Sequence, residues 1–285
     1  REDHDAVADC STGFRALMRS ERFVKARRAE AITEEAFVAV APDCGLLALV
    51  SGRMWRRLAP MPPEMRVDLD SDIRFWGSGI TVIGTELFIA GGQTQNGLDA
   101  DVSVYDAIDN EWFSIPLPRS FPRQEIFSVG CAGRLFVGGF ARYGELKGKV
   151  PFCSWDAATQ KWIELPQMPR RQNTRYCWGQ LSAVAVGSEI FICHTVVPKR
   201  FCVFDVEAET WRRVEIPVEA WYYGEHSVSL FVDEDLIHIL HHRNGEVLGN
   251  VHRAYDTVNE EWIRITGGLP RHTASSESRR VHGII

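Results

Sequence analysis

The chain has 285 residues, 45% of them hydrophobic and 25% charged, which is enough apolar material for one large all-β domain and too much for disorder throughout. Its formal net charge of −6 gives no support to nucleic-acid binding or to docking on an anionic membrane, since both want a basic surface. No apolar run approaches the roughly 18 residues needed to span a bilayer. The sequence shows no secretory signal pattern.

The first residue is Arg1 rather than Met, so a piece of a longer protein is the expectation. Phe14, Leu17, Met18 and Phe23-Val24 recur at helical spacing between basic residues, which predicts an amphipathic helix within residues 12–30. Three strand-like runs follow, Ala36 to Val40, Leu46 to Val50 and Met54 to Leu58, the last carrying Trp55.

From there the chain repeats. Trp55, Trp112, Trp162, Trp211 and Trp262 stand 57, 50, 49 and 51 residues apart. Ahead of the last four lie Tyr105-Asp106, Trp155-Asp156, Phe204-Asp205 and Tyr255-Asp256, and from Asp to Trp is six residues every time. Upstream of each pair are two further runs, such as Gly79 to Ile83 and Glu86 to Ala90 before Gly91-Gly92, or Ile126 to Cys131 and Arg134 to Val137 before Gly138-Gly139. Short β-branched and aromatic runs bounded by Gly, Asn, Asp and Pro predict antiparallel strands, four to a unit. The Asp carboxylate is placed to accept from turn amides, and the Trp to bury its ring against the next unit. In the third and fourth units Cys193-His194 and His241-His242 replace the Gly pair.

Units that cannot bury their own faces stack on copies of themselves, and circular stacking makes a β-propeller. The first unit lacks an innermost strand, while Arg280 to Ile285 is a single strand-like run. Four full units, three strands and one strand predict five blades closed by the two ends, or six if the chain continues past Ile285.

The G-G, Y-D and W series (Leu87-Phe88-Ile89-Ala90-Gly91-Gly92, Tyr105-Asp106, Glu111-Trp112) resembles the kelch repeat over residues 36–285. Phe14 to Phe23 with Arg27 resembles the end of an F-box, and Thr33 to Val38 with Trp55 to Pro62 resembles the first kelch segment of plant F-box/kelch proteins. The resemblance implies a helical F-box end and linker over 1–31 and a kelch propeller over 32–285. It also implies a non-enzymatic substrate receptor of an SCF ubiquitin ligase, cytoplasmic or nuclear, with a Skp1-like adaptor on the F-box and a target protein on the propeller. The leading half of the F-box, with its Leu-Pro start, is not within these residues.

Candidate partner-binding residues lie in the loops before the innermost strands: Arg74, Arg123, Arg175, Tyr222-Tyr223 and Arg279-Arg280. Arg74, Arg123 and Arg175 stand 12 to 15 residues ahead of Leu87, Leu135 and Ile190, so circular symmetry would gather them at one channel mouth. Such a ring suits carboxylates or polar peptide segments. His238, His241 and His242 read as exposed turn histidines rather than metal ligands, with no carboxylate or Cys at ligand spacing beside them. The seven cysteines (10, 44, 131, 153, 177, 193 and 202) are odd in number and without a C-x-x-C pair, and read as buried thiols in a reducing compartment. No cofactor is expected. A kelch scaffold or adaptor unrelated to ubiquitination is the alternative. A kelch-fold enzyme, galactose-oxidase-like or sugar-acid-modifying, is a further alternative; the oxidase would need a Tyr and Cys able to cross-link and two His on one face, a set the sequence does not assemble.

Overall fold

A computed structural model describes residues 36–40, 46–50, 54–62, 78–91, 93–94, 97–98, 101–107, 109–118, 121, 126–139, 151–169, 181–194, 200–217, 227–243, 246–247 and 253–265. The predicted N-terminal helix and the closing strand 280–285 lie outside them, as does the choice between five and six blades.

Among the described residues every regular element is a strand. A three-stranded sheet comes first: β1 (Ala36–Val40), β2 (Leu46–Val50) and β3 (Met54–Arg57). The next sheet holds β4 (Ser78–Ile83), β5 (Glu86–Gly91), β8 (Asp101–Asp106) and β9 (Glu111–Pro116), with a small hairpin of β6 (Gln93–Thr94) and β7 (Gly97–Leu98) between its middle strands. Then come β10 (Ile126–Cys131), β11 (Arg134–Gly139), β12 (Phe152–Asp156) and β13 (Lys161–Leu165). They are followed by β14 (Leu181–Val186), β15 (Glu189–His194), β16 (Arg200–Asp205) and β17 (Thr210–Glu215). The last sheet holds β18 (Ser227–Asp233), β19 (Leu236–Arg243), β21 (Arg253–Asp256) and β22 (Glu261–Arg264), with β20 (Glu246–Val247) folded back on β19. Each four-stranded sheet is an antiparallel meander, the form of a β-propeller blade.

The six-residue Asp-to-Trp spacing has a geometric cause. Asp106 pairs with Glu111, Asp156 with Lys161, Asp205 with Thr210 and Asp256 with Glu261, so each hairpin loop is four residues and the Trp follows the closing pair. The last loop residue turns left-handed every time: Asn110, Gln160, Glu209 and Glu260 have φ of 58°, 51°, 51° and 54°. The carboxylate holds the loop from within. Asp205 Oδ1 accepts from the amides of Glu207 and Ala208, both at 2.9 Å, and Asp256 Oδ1 does the same for Val258 and Asn259. In the three-stranded sheet Val50 pairs with Met54, a loop one residue shorter, and no Asp precedes it.

The core lies between blades rather than inside any one of them. On β5, Leu87 and Ile89 pack toward Met61 of the preceding unit, while Phe88 and Ala90 pack toward Leu135 and Val137 of the following one. Both faces are covered, so the strand is an unbroken apolar run. The same division recurs at the next two junctions, around Phe136, Phe152 and Phe204, and around Phe191, Phe201 and Tyr255.

The innermost strands come close enough to constrain composition. A Cβ on Gly79 would lie 2.0 Å from the Ser128 amide nitrogen, so only glycine fits beside β10. The N–H of Gly130 donates to Thr81 Oγ1 of the preceding blade at 2.9 Å, and that of Leu230 to Ser182 Oγ at 3.1 Å. Gly138, from the second Gly pair, leaves room for the ring of Phe127 opposite it. In the next blade the pair is Ser182 and Cys193, small facing small, and the Gly is dispensable.

The Trp side chains correct the sequence reading. Each turns to the preceding blade, not the next. Its cross-strand partner is the aromatic of the aromatic–Asp pair, with ring centroids 5.4, 5.2, 4.9 and 5.2 Å apart along the chain. Each indole Nε1–H donates to a backbone carbonyl near the end of the preceding blade's outer strand: Trp112 to Ala59 (3.0 Å), Trp162 to Pro116 (2.8 Å), Trp211 to Pro166 (2.8 Å) and Trp262 to Glu215 (2.9 Å). The rings are half-buried rather than fully enclosed. Replacing Trp211 by Phe keeps stacking on Phe152 and Phe204 but removes the donor, and is expected to cost about 1 kcal/mol in urea unfolding. Trp211→Ala, which also empties the junction, is expected to cost about 2–4 kcal/mol.

Candidate functional site

The registers fix which loops share an end. Ser78 pairs with Gly91 and Asp101 with Pro116, so the connectors between blades and those between middle strands leave from one end of each sheet. The tight turns 84–85, 132–133, 187–188 and 234–235 and the four-residue loops lie at the other. Arg74, Arg123, Arg175, Tyr222 and Tyr223 belong to connectors that lead into β4, β10, β14 and β18, hence to the connector end by chain order. All of them, and Arg279, lie outside the described residues.

The two ends differ in charge. The turn-end loops carry Asp109, Glu207, Glu209, Glu234, Asp235 and Glu260 and no Lys or Arg. Loop hydrogen bonds hold some neighbouring carboxylates ionised. The Thr159 hydroxyl, then the Ala158 amide, lowers Asp156 below the ordinary 3.8, and the Asn259 amide, then its side chain, lowers Asp256.

At the last junction an ion cluster crosses the turn end. Arg212 forks onto Glu189 (2.9 and 2.8 Å) and lies 3.7 Å from Glu260 of the next blade. The Glu189 bond raises the Arg212 pKa, so this residue stays charged. It is a structural clamp between blades.

The described cysteines are held as neutral thiols. Burial pushes the Cys131 thiol to about 11 and those of Cys153 and Cys193 to about 12, and raises the half-buried Cys202. Protonated thiols of this kind are poor nucleophiles. Cys131, Cys153 and Cys193 are buried as the sequence suggested, and Cys10, Cys44 and Cys177 lie outside the described residues. His238 departs from the expected exposed turn. It sits inside β19, buried, stacked with centroids 4.4 Å apart on Phe231, its direct partner across the β18–β19 hairpin. His241 and His242 are also strand residues. Among the described residues no group of three His, Cys, Asp or Glu could hold a metal, and no helix is long and apolar enough to cross a membrane.

One feature of the connector end was not anticipated. Arg253 opens β21 and Arg264 closes β22, and they pair directly across the strands. The repeat contained the signal: they stand two residues before Tyr255 and two after Trp262, positions that a fixed Asp-to-Trp spacing makes neighbours.

No family model matches the chain. It is similar to Kelch-like protein 40 of Mus musculus, 32% identical over 99 residues, a match covering 34% of this chain and 14% of that protein. Together with the four-stranded antiparallel blades, this likeness supports kelch-type repeats.

Asp156→Ala is expected to lower the urea midpoint at pH 7. A depressed pKa means the ionised form stabilises the fold, fully above the ordinary carboxyl value and less as pH falls through the folded one. The gap from wild type should therefore be equal at pH 7 and pH 5 and narrow below 3.8.

Proposed function

We propose that this chain is a protein-binding module without catalytic activity, serving as the substrate-recognition part of an SCF-type ubiquitin ligase in the cytoplasm or nucleus. The observation that carries the reading is order along the chain. A stretch resembling the end of an F-box, Phe14 to Arg27, runs directly into the first strand of a kelch propeller at Ala36. A propeller suits the task because packed junctions fix its strands while the connectors at one end are free to vary. The likeness to a Kelch-like protein supports the protein-binding half of the reading, and the F-box-like residues support the ligase half. In this arrangement a Skp1-like adaptor binds the F-box and the target binds the connector end.

A kelch adaptor outside the ubiquitin pathway is the second reading, favoured by the name of the relative alone. Co-purification separates them. The protein carrying these residues and a complete F-box should bring down Skp1 and a cullin, and an adaptor of the second kind should not.

For the target itself, the double change Arg123→Ala and Arg175→Ala should weaken capture about tenfold or more while leaving the melting temperature unchanged. Raising salt should weaken capture in the unaltered protein as well. Capture at full strength by the double variant would move the target to the connectors after the second strands, Gln93 to Ala100 and Ala141 to Lys149.

A further inference from the structure

The blade formed by β18, β19, β21 and β22 holds an arginine pair whose charge is not answered within the described protein. Arg253 and Arg264 are directly opposed on adjacent strands, an arrangement that brings Cβ atoms to about 5 Å and is unfavourable for like charges. Alternation puts both on the face that Tyr255 and Trp262 turn to the preceding blade. In the preceding blade the equivalent positions are Cys202 and Arg213, a single guanidinium opposite a thiol.

Among the described residues neither Arg253 nor Arg264 makes an ion pair or a side-chain hydrogen bond. Arg253 Nε is enclosed without an acceptor, although its side chain as a whole is only partly buried. A desolvated guanidinium N–H without a partner costs more than one left in water. Such a group in a native structure calls for an explanation, and an acceptor supplied by a ligand is one. Guanidiniums on two directly opposed residues can reach one oxyanion together, each with a fork of N–H donors. Both residues sit at the connector end, the end from which the loops 117–125, 166–180 and 218–226 also leave.

We propose that Arg253 and Arg264 form an oxyanion site at the connector end of this blade, and that its ligand is the carboxylates of an Asp- or Glu-rich segment in the partner protein. The proposal rests on the reading of the propeller as a protein-binding module and adds the chemistry of the segment it holds. The acidic turn end repels such a segment, so docking is confined to the connector end.

The test uses the whole chain and hexaglutamate peptide as the probe. Hexaglutamate should bind the unaltered chain in low salt and raise its melting temperature. Arg253→Gln and Arg264→Gln should each weaken binding about tenfold or more, and Arg253→Lys should fail to restore it, since Lys keeps the charge but loses the fork. Arg213→Gln, which removes a guanidinium from the preceding blade, should bind as the unaltered chain does. Without peptide, Arg253→Met should melt at the same temperature or higher, because it removes an enclosed unpaired donor; a residue kept for structure alone would melt lower. The proposal is overturned if hexaglutamate does not bind, if it binds the Gln variants undiminished, or if Arg253→Met is destabilised. It is overturned equally if inorganic phosphate at matched ionic strength protects as well as the peptide through the same two residues, which would make the pair a simple anion site. A negative result with this free peptide removes the arginine site and leaves target capture to be judged by the Arg123 and Arg175 variants.

Discussion

Each blade reaches back to the one before it through a tryptophan indole, and the rest of the structure is arranged around that contact. The N–H of Trp112, Trp162, Trp211 or Trp262 meets a backbone carbonyl near the end of the preceding outer strand at 2.8–3.0 Å. To arrive there the Trp must sit one residue past the closing pair of a four-residue loop, and that loop must turn left-handed at its last residue. The Asp that begins the loop ties down its amides, so the register is held within the hairpin itself. Below the indole the cross-strand aromatic fills the junction, which makes a hydrogen bond worth about 1 kcal/mol the cap on a much larger apolar contact.

The repeat was legible in the sequence because its spacing is a register. Six residues from Asp to Trp can be read without coordinates, since a hairpin with a four-residue loop permits no other number. The direction of stacking was not legible. A period of two says that Trp and its aromatic partner share a face, and it does not say which neighbour that face meets. The Gly pairs misled for a related reason. Gly138 answers the bulk of Phe127 across the strand, and where the opposite residue is Ser182 a cysteine serves instead. His238 looked like a turn residue only because two further histidines follow it; its burial comes from a strand that runs on to Arg243.

The site divides in the same way. The arginines chosen from the loops, Arg123 and Arg175 among them, were chosen by position between repeats, where no pairing pattern constrains a side chain. Arg253 and Arg264 are strand residues, and the repeat places them opposite one another as firmly as it places Tyr255 opposite Trp262. A ligand-facing group on a strand is held by the same hydrogen bonds that build the blade, which is why the strand ends of a propeller can carry precise contacts while its loops supply variety. The polarity of charge fits this division in part: carboxylates crowd the turn end of the full blades, where they also serve as loop staples, and the connectors carry both signs.

Hydrogen–deuterium exchange on a Trp162→Ala variant tests the stacking most directly. If the indole secures the preceding blade, exchange should rise in β9 and in residues 115–118, whose carbonyl at Pro116 loses its donor, while β14 to β17 of the following blade keep the protection of the unaltered protein. Loosening of β14 to β17 with β9 unchanged would contradict the account, because the Trp would then be holding the blade ahead of it rather than the one behind.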